Sequence, residues 1–308
     1  MPELPEVQTT VNGLTKTVIG LRIVNVWSSY NSLYFKGADN IKDPKFFKYF
    51  KGKVVGATII STGRRAKNIL INLNNGKTIL VYMKMTGHLL YGKYYFRPKD
   101  KGDSWIPISP ESLKDPFNRH IRLVFSFSNN KQLALCDSRK FAKVTLINSE
   151  ALEKSGHLND IGPEPLSKDF SFKEFCKCIS LNPNSKIKQV LMDQNVLAGI
   201  GNIYADESLW RAGIHPLQKV AGINSRKKRA LFDSICQTLT KGISFGGDSM
   251  SDYRNINGEK GRFQETHRAY RKTGQKCSKP RCGGIIQRIM VGSRSAHFCN
   301  KHQKLLTE

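Results

Sequence analysis

The sequence predicts an α+β protein with more than one domain, in which antiparallel strands come first and helices second. Three observations predict this class. Short runs rich in Val, Ile and Leu alternate with turn residues through the first half of the 308 residues. The stretch 149–169 is punctuated by glycine and proline and has no clean periodicity. After it, apolar residues recur at helical spacing, and a chain of this length can form two cores.

The first predicted element is a helix over Glu6–Thr17, where Val7, Val11 and Leu14 recur every three or four residues. Seven strands should follow, with one helix, Asp43–Phe50, inserted among them. Several short strands at such spacing favour an antiparallel sandwich or barrel. The predicted strands are Leu21–Ser28, Val54–Ser61, Ile69–Leu73, Thr78–Met83, Ile121–Phe127, Leu133–Cys136 and Val144–Ile147.

Two polar interruptions are long. Arg97–Phe117 is rich in Lys, Asp, Ser and Pro and is expected to be a surface loop, an insertion whose role the sequence does not give. Gly242–Arg262 is glycine-rich, and loops of that length are commonly functional or mobile. The predicted helices of the second half are Phe170–Ile179, Lys186–Met192, Tyr204–Ala212 and Arg226–Lys241. The predicted divisions are an N-terminal domain 1–149, a linker 150–169, a helical domain 170–264 and a terminal segment 265–308.

The chain is strongly basic, with 50 Lys and Arg against 24 Asp and Glu, a formal net charge of +26. Because 39% of the residues are hydrophobic, we expect a folded basic protein that attracts polyanions, nucleic acid first. No apolar run approaches the roughly 20 residues of a membrane span, so no membrane partner is expected. We also expect no secretory signal and an intracellular protein. Arg226–Arg229 suits a nuclear signal or the basic face of a helix, which leaves nucleus and cytoplasm open.

Three of the seven cysteines cluster near the end in the pattern Cys277-x4-Cys282-x16-Cys299-x2-His302. Two close ligand pairs separated by a hairpin-sized spacer can converge on one tetrahedral zinc ion. An odd cysteine count argues against a disulfide framework. We therefore predict one structural Zn²⁺, with free thiols as the alternative. The strands of the hairpin are expected at Ile285–Val291 and Ala296–Phe298.

The N-terminus offers a candidate nucleophile. A small residue at position 2 allows removal of Met1, which would make Pro2 a terminal secondary amine with a pKa of about 7.7–8.0. Such an amine can form an iminium with C1′ of a deoxyribose. Of the neighbouring carboxylates Glu3 and Glu6, one can transfer protons and the other can hold the amine. The alternative is an ordinary helix start, where Pro and acidic residues are common.

A second candidate site binds anions. The turn Gly199–Gly201 precedes a predicted helix, and the N–H groups at a helix N-terminus attract phosphate. Asn202 and Lys188 can donate to the same phosphate. Arg294, near the turn of the C-terminal hairpin, is placed to contact phosphate singly, although solvated charge explains most of the surrounding Lys and Arg residues.

Motifs along the whole chain resemble those of the formamidopyrimidine-DNA glycosylase/endonuclease VIII family, in order, from residue 2 to about residue 304. Besides the Cys/His finger, the matching motifs are Pro2–Val7, Arg65–Lys67, Met85–Gly87, Asp137–Phe141, Ile161–Leu166, Ile187–Lys188, Leu191–Asp193 and Gly201–Ala205.

The resemblance implies a catalytic N-terminal helix plus antiparallel β-sandwich, then a helix-two-turn-helix domain with a β-hairpin zinc finger, holding double-stranded DNA between them. It implies that Pro2 is the Schiff-base nucleophile and Glu3 the proton-transfer residue. Glu6 becomes a structural or lesion-site carboxylate, and Lys67 a loop lysine that reaches the DNA. Lys188, Asn202 and Arg294 would hold the phosphates that flank the lesion.

Met85, Arg139 and Phe141 match the family residues that fill the gap left by a flipped nucleotide. An enzyme that cuts the sugar–base bond extrudes the nucleotide. Apolar side chains can then occupy the vacated stack, and an Arg can hydrogen-bond the orphaned base. Core packing is the alternative for Met85 and Phe141 taken singly.

The chain departs from the family pattern in its widened first cysteine pair and in His302, where family fingers commonly end in Cys. The chain resembles the purine-lesion branch in Met85, Arg139 and Phe141, in Leu4 and in the loop beginning at Gly246, which in that branch covers a flipped 8-oxoguanine. We expect a monomeric base-excision-repair glycosylase/AP lyase that acts on 8-oxoguanine, formamidopyrimidines and abasic sites. Alternatives are an endonuclease VIII-like glycosylase for oxidised pyrimidines, a silent damaged-DNA-binding protein, and an RNA- or ribosome-binding zinc protein.

Overall fold

The computed structural model describes residues 1–98, 104–152 and 154–306. The chain forms two compact units. The N-terminal unit comprises Met1–Asn159 and Phe245–Arg262, and the C-terminal unit comprises Asp160–Ser244 and Phe263–Glu308. No helix of the described residues is long and apolar enough to cross a membrane.

The N-terminal unit is built from two helices and two antiparallel sheets. One sheet has five strands and the other has four. Apolar side chains of both sheets and of the first helix share one core, which confirms the predicted N-terminal helix plus antiparallel β-sandwich. The elements are α1 (Leu4–Thr17), β1 (Ile23–Ser28), α2 (Pro44–Val54), β2 (Ile59–Arg65), β3 (Asn68–Leu73), β4 (Lys77–Tyr82), β5 (His88–Arg97), β6 (Ser104–Ser109), β7 (Ile121–Phe127), β8 (Gln132–Cys136) and β9 (Lys143–Asn148). The strand order is β1-β7-β8-β5-β6 in the larger sheet and β2-β3-β4-β9 in the smaller.

Helix α1 starts with a reciprocal cap. The carboxylate of the N-cap residue Glu3 accepts the backbone N–H of Glu6, and the carboxylate of Glu6 accepts the backbone N–H of Glu3. Pro5 lies in the first turn, where no intrahelical N–H is needed. The apolar stripe that includes Val7 and Leu14 is fully buried, so the helix is anchored to the core along one face.

Two parts of the strand prediction were wrong. The predicted strand Val54–Ser61 begins instead at Ile59, because α2, capped by the side chain of Asp43, continues to Val54. The predicted loop Arg97–Phe117 contains strand β6 and two short 3₁₀ turns, and β5 before it was missed entirely. Residues 99–103 lie outside the described residues.

The missed strand β6 lies at the edge of its sheet. An edge strand tolerates polar residues and a proline such as Pro107, because one side of its backbone forms no ladder. Its composition therefore resembles that of a loop.

The C-terminal unit is helical and ends in a β-hairpin, as predicted. The carboxylate of Glu207 accepts the backbone N–H groups of Arg268, Ala269 and Tyr270 at 2.8 to 3.1 Å, which fastens the segment before the hairpin to a helix. The elements are α3 (Phe172–Ser180), α4 (Ile187–Met192), α5 (Asn202–Ala212), α6 (Ser225–Ser244), β10 (Ile286–Val291) and β11 (Arg294–Cys299).

The loop Phe245–Arg262, hereafter the 245–262 loop, packs within the N-terminal unit. The sequence predicts it as part of the helical domain 170–264, a division that stays a prediction. The backbone N–H of Tyr91 in β5 donates to the carbonyl of Ile256 at 2.7 Å. Ile256 also touches α1, where a Cβ on Gly13 would lie 2.3 Å from its side chain. The boundaries at the linker 150–169 and at residue 265 stay predictions.

Candidate functional site

The N-terminal end of α1 is a buried polar site. Pro2 is buried, and the side chains of Glu3 and Glu6 are 3% and 2% exposed. The positive end of the helix dipole favours ionised carboxylates at this position. The structure therefore brings together three of the predicted site residues, a potential amine and two acids, in a place that excludes most water.

Glu6 connects this site to the 245–262 loop. Its Oε1 accepts the backbone N–H of Asp248 at 2.7 Å, and its backbone carbonyl accepts the hydroxyl of Tyr253 at 3.0 Å. Gly247 has φ +83°, and a Cβ there would lie 2.9 Å from the Glu6 side chain. Only glycine fits this close approach without strain. Sequence reasoning proposed Glu6 but missed Tyr253, whose burial and closeness to Glu6 raise the pKa of its hydroxyl.

Lys67 lies in the tight turn between β2 and β3 and is 5% exposed. Ala66 before it adopts a left-handed conformation with φ 51°. Arg64 donates to the carbonyl of Ala66 at 3.0 Å and to the side chain of Gln8 in α1 at 2.9 Å. The turn is thus fastened to the helix that carries Glu3, whereas contact of Lys67 with DNA stays a prediction.

Met85, Arg139 and Phe141 form one exposed cluster, hereafter the wedge. An Nη atom of Arg139 lies 3.3 Å from the sulfur of Met85, and the guanidinium lies 4.5 Å from the centre of the Phe141 ring. Met85 and Phe141 are 40% and 44% exposed. Core packing, the alternative for both apolar residues, is therefore wrong, and the cluster is free to meet a partner.

Asp137 holds the two turns of the wedge together. Its carboxylate has zero exposure and accepts the Thr86 hydroxyl, the backbone N–H of Ala142 and the Tyr30 hydroxyl. The backbone N–H of Arg139 in turn donates to the Thr86 hydroxyl at 3.3 Å. Sequence reasoning quoted Asp137 in a motif but gave it no role, because its partners are distant in sequence.

Lys188 is fully buried in the C-terminal unit. Its Nζ lies 2.6 Å from Oδ1 of Asp206 and 2.7 Å from the carbonyl of Ser295. The other carboxylate oxygen of Asp206 accepts the backbone N–H of His297 at 2.9 Å. Lys188 therefore joins α4, α5 and β11, and its zero exposure gives it a structural role beside the phosphate contact, which stays a prediction.

The other two predicted phosphate donors lie at element ends. Asn202 is the first residue of α5, and its buried Oδ1 has no hydrogen-bond partner among the described residues. Arg294 is exposed and opposes Val291 across the Gly292-Ser293 turn. Gly292 has φ 62°, which suits the first central position of a type II′ hairpin turn. The turn thus places Arg294 at an exposed position at the end of the hairpin.

Cys277, Cys282, Cys299 and His302 converge as predicted, with their four ligand atoms within 4.8 Å of one another. The Sγ atoms of Cys282 and Cys299 lie 3.5 Å apart, and Nδ1 of His302 lies 3.4 Å from Sγ of Cys282. Three thiolates and one imidazole are the donor set that tetrahedral zinc prefers. The cluster therefore fits a metal ion, and its chemistry selects a soft one.

Neighbouring groups prepare this cluster for metal binding. Nε2 of His302 lies 3.0 Å from the carbonyl of Trp210, an acceptor that holds the proton on Nε2 and leaves Nδ1 free to ligate. A Cβ on Gly284 would lie 2.4 Å from the sulfur of Cys299, so the turn requires glycine there. Sequence reasoning anticipated the tight turn but not Trp210.

Residues 1–144 match the formamidopyrimidine-DNA glycosylase N-terminal domain, and residues 161–254 match the formamidopyrimidine-DNA glycosylase H2TH domain. The chain is 35% identical over 304 residues to the formamidopyrimidine-DNA glycosylase of Heliobacterium modesticaldum, which covers 99% of this chain and 100% of that one. It is also 35% identical to the enzyme of the same name from Herpetosiphon aurantiacus, covering 97% and 98%.

Solved structures of a protein from this family are also similar to this chain. The Lactococcus lactis Fpg in complex with DNA containing an abasic site superposes with a TM-score of 0.81 at 31% identity, covering 98% of this chain and 99% of that one. A mutant of the same protein bound to DNA containing Fapy-dG superposes with a TM-score of 0.80 at 32% identity, covering 98% and 100%. Together with the relatives, these likenesses show that the chain belongs to the formamidopyrimidine-DNA glycosylase family.

Proposed function

We propose that the protein is a bifunctional DNA glycosylase and AP lyase of base-excision repair, which removes oxidised purines from double-stranded DNA. The observation that carries the proposal is the buried group of Pro2, Glu3 and Glu6 at the start of α1, joined to the 245–262 loop. Family relatives bound to abasic-site DNA and to Fapy-dG DNA support the choice of substrate.

The first step requires that Met1 be removed. The lone pair of the Pro2 nitrogen attacks C1′ of the damaged nucleotide, and the bond from C1′ to the base breaks. The base leaves with the bonding electrons and takes up a proton. Opening of the sugar ring then gives an iminium between Pro2 and C1′, with O4′ protonated. Glu3 is placed to move these protons, because it lies next to Pro2 and is itself only 3% exposed.

The iminium then drives strand cleavage. It withdraws electrons from C1′ and so acidifies the C2′ proton. Loss of that proton expels the 3′ phosphate, and a second elimination expels the 5′ phosphate. Hydrolysis of the iminium returns the Pro2 amine. Lys67, in the turn fastened to α1, is proposed to hold the DNA during these steps.

The remaining site residues are proposed to distort and hold the DNA. Lys188, Asn202 and Arg294 would grip the phosphates, with Lys188 acting also through the hairpin that it supports. In the wedge, Met85 and Phe141 would fill the gap left by the flipped nucleotide and Arg139 would meet the unpaired base. The exposure and mutual contact of the wedge support this role.

The metal is proposed to be one structural Zn²⁺ held by Cys277, Cys282, Cys299 and His302. Bound zinc would supply folding free energy to the hairpin that carries Arg294. A monomer suffices for all these roles. Localisation to the nucleus or the cytoplasm stays a prediction.

Borohydride trapping tests the proposal. Protein whose mass shows a Pro2 terminus is mixed with duplex DNA containing 8-oxoguanine or an abasic site and reduced. We expect a covalent protein–DNA adduct on both, and none from matched protein that keeps an N-terminal tag before Met1. Lesion binding without an adduct from the verified protein indicates a silent binder instead. Equal affinity for undamaged RNA at matched salt indicates an RNA-binding protein. Excision rates on a panel of oxidised purines and pyrimidines distinguish a purine-lesion glycosylase from an endonuclease VIII-like glycosylase.

A further inference from the structure

The segment Pro110–Asn118, hereafter the support, covers the last part of the insertion Arg97–Phe117, to which sequence reasoning gave no role, and the residue after it. It follows strand β6 and consists of two short 3₁₀ turns. Leu113 in its middle is 1% exposed and anchors it to a small core with Leu90 and Val124. The support is therefore packed against a sheet and can hold a neighbouring segment in place.

The support contacts the 245–262 loop through an ion pair. Nε of Arg254 lies 3.1 Å from Oδ2 of Asp115, and an Nη atom lies 3.3 Å from Oδ1. The other Nη atom donates to the carbonyls of Ser251 and Tyr253 at 3.0 and 2.9 Å. Arg254 is 1% exposed, and such bidentate charged hydrogen bonds are both strong and directional. The guanidinium thus fixes the loop backbone to Asp115.

A second set of contacts lies further along the loop. The hydroxyl of Ser112 donates to the carbonyl of Asn257, and the amide of Asn118 donates to the carbonyls of Ser112 and Gly258 at 3.0 and 3.4 Å. A Cβ on Gly258 would lie 2.7 Å from the Ser112 carbonyl. The support and the loop are therefore packed at backbone distance.

The same loop reaches the active site. Arg254 follows directly after Tyr253, whose hydroxyl donates to Glu6, and the N–H of Asp248 donates to the Glu6 carboxylate. An unbroken path runs from Asp115 through Arg254 and Tyr253 to the start of α1.

The support and the loop also share a cavity of about 240 Å³. Phe117 and His120 line it from the support side, Asp252 from the loop and Ser138 from the turn that carries the wedge. The guanidinium of Arg254 lies 4.5 Å from the centre of the Phe117 ring. The support thus faces the same space as the wedge turn.

We propose that Asp115 and Arg254 are a positioning pair, through which the support sets the 245–262 loop against the active site and controls excision of the damaged base more than cleavage at an abasic site. The inference rests on the proposed function. The loop is rich in glycine and forms no strand or helix of its own, so external contacts must order it. An extruded base needs an ordered pocket wall, whereas an abasic sugar has no base to hold.

The test compares two activities in the full-length protein. Single-turnover excision of 8-oxoguanine and strand cleavage at a preformed abasic site are measured for wild type and for Asp115→Asn. We expect excision to fall between about tenfold and 100-fold, as for small displacements of a site, and abasic cleavage to change by less than about twofold. Glu111→Gln is the matched control, because it removes the same charge from the support at a side chain that is 82% exposed.

Equal losses of both activities, or unchanged excision, would overturn the positioning role. If Asp115→Asn does not fold, Ser112→Ala replaces it, since it removes only the hydroxyl that contacts Asn257. Ser112→Ala should lower excision more than abasic-site cleavage, by a smaller factor than Asp115→Asn. If Ser112→Ala shows no selective loss of excision, the inference is overturned. A wild-type protein inactive on both substrates would instead contradict the proposed function.

Discussion

The backbone N–H of Asp248 donates a 2.7 Å hydrogen bond to the carboxylate of Glu6, a residue 242 positions earlier in the chain. The second oxygen of the same carboxylate accepts the backbone N–H of Glu3 at 2.7 Å. One buried side chain therefore serves as a helix cap and as the anchor of the 245–262 loop. Glu6 couples the shape of that loop to the position of the proposed nucleophile.

Glu6→Gln should destabilise the protein although it preserves shape. A carboxylate accepts at both oxygens, whereas the glutamine amide presents a donor to one of the two N–H groups and leaves it unsatisfied. We expect a loss of about 1–3 kcal/mol in the free energy of unfolding, measured by urea denaturation. Asn12→Ala, at an exposed position of the same helix, should stay within about 0.5 kcal/mol. Equal stability of Glu6→Gln and wild type would contradict this account.

Much of the fold was predictable because the patterns that indicate its helices, strands and cysteine pairs are local in sequence. The periodicity of α1, the alternation of β7 and the spacing of Cys277 to His302 depend on residues close in sequence. The convergence of Cys277, Cys282, Cys299 and His302 could be predicted, since each close pair of these residues is separated by only a few positions. Zinc itself stays a proposal.

Contacts between distant segments were not predictable. Asp137, Asp206 and Arg254 are single charged residues whose roles depend on partners far away in sequence. Asp137 accepts from Tyr30 and Thr86, Asp206 contacts Lys188 18 positions away, and Arg254 contacts Asp115 139 positions away. Nothing in the neighbourhood of Arg254 distinguishes it from the many solvated arginines of this basic chain. The packing of the 245–262 loop within the N-terminal unit depends on distant contacts in the same way.

The contribution of Asp115 to stability should depend on pH. Partial burial alone would raise the pKa of this carboxyl, but hydrogen bonds from Phe117 N–H and Arg254, with the charges of Arg254 and Lys260, outweigh burial and lower it. A depressed pKa means that the charged form stabilises the fold above the unfolded pKa of about 3.9 and loses that effect as pH falls through the folded value.

The comparison between wild type and Asp115→Asn measures this dependence. The difference in their free energies of unfolding should be constant from about pH 7 to pH 5 and should shrink below about pH 4, where wild-type Asp115 becomes neutral like asparagine. Urea denaturation at each pH gives the difference. A gap that widens toward low pH would contradict the sign of the effect. Glu111→Gln should show no such pattern.

Two substitutions, Lys188→Met and Arg294→Ala, should distinguish a stabilising role in the fold from a contact with phosphate. Breaking a buried pair by removing one partner costs about 3–5 kcal/mol, so Lys188→Met should lower the melting temperature strongly. Arg294→Ala, at an exposed turn, should leave the melting temperature unchanged. It should reduce the slope of log Kd against log salt by about 0.9, the value for one phosphate contact. Calorimetry measures the melting temperatures, and DNA titration at several salt concentrations measures the slope of log Kd. An unchanged melting temperature for Lys188→Met would show that its ion pair does not stabilise the protein.

Loss of zinc should unfold the C-terminal hairpin before the rest of the protein. Among the described residues, the apolar cluster around the cysteines is small, with Ile286 buried in it and Trp210 packed against it. We therefore expect metal binding to supply much of the folding free energy of this part. Native mass spectrometry should show one zinc per chain in wild type and in His302→Cys, which restores a fourth thiolate, and none in His302→Ala. Cys236→Ser, outside the cluster, should keep its zinc. Retention of zinc at wild-type affinity by His302→Ala would show that the imidazole is not a ligand, whatever its distance from Cys282.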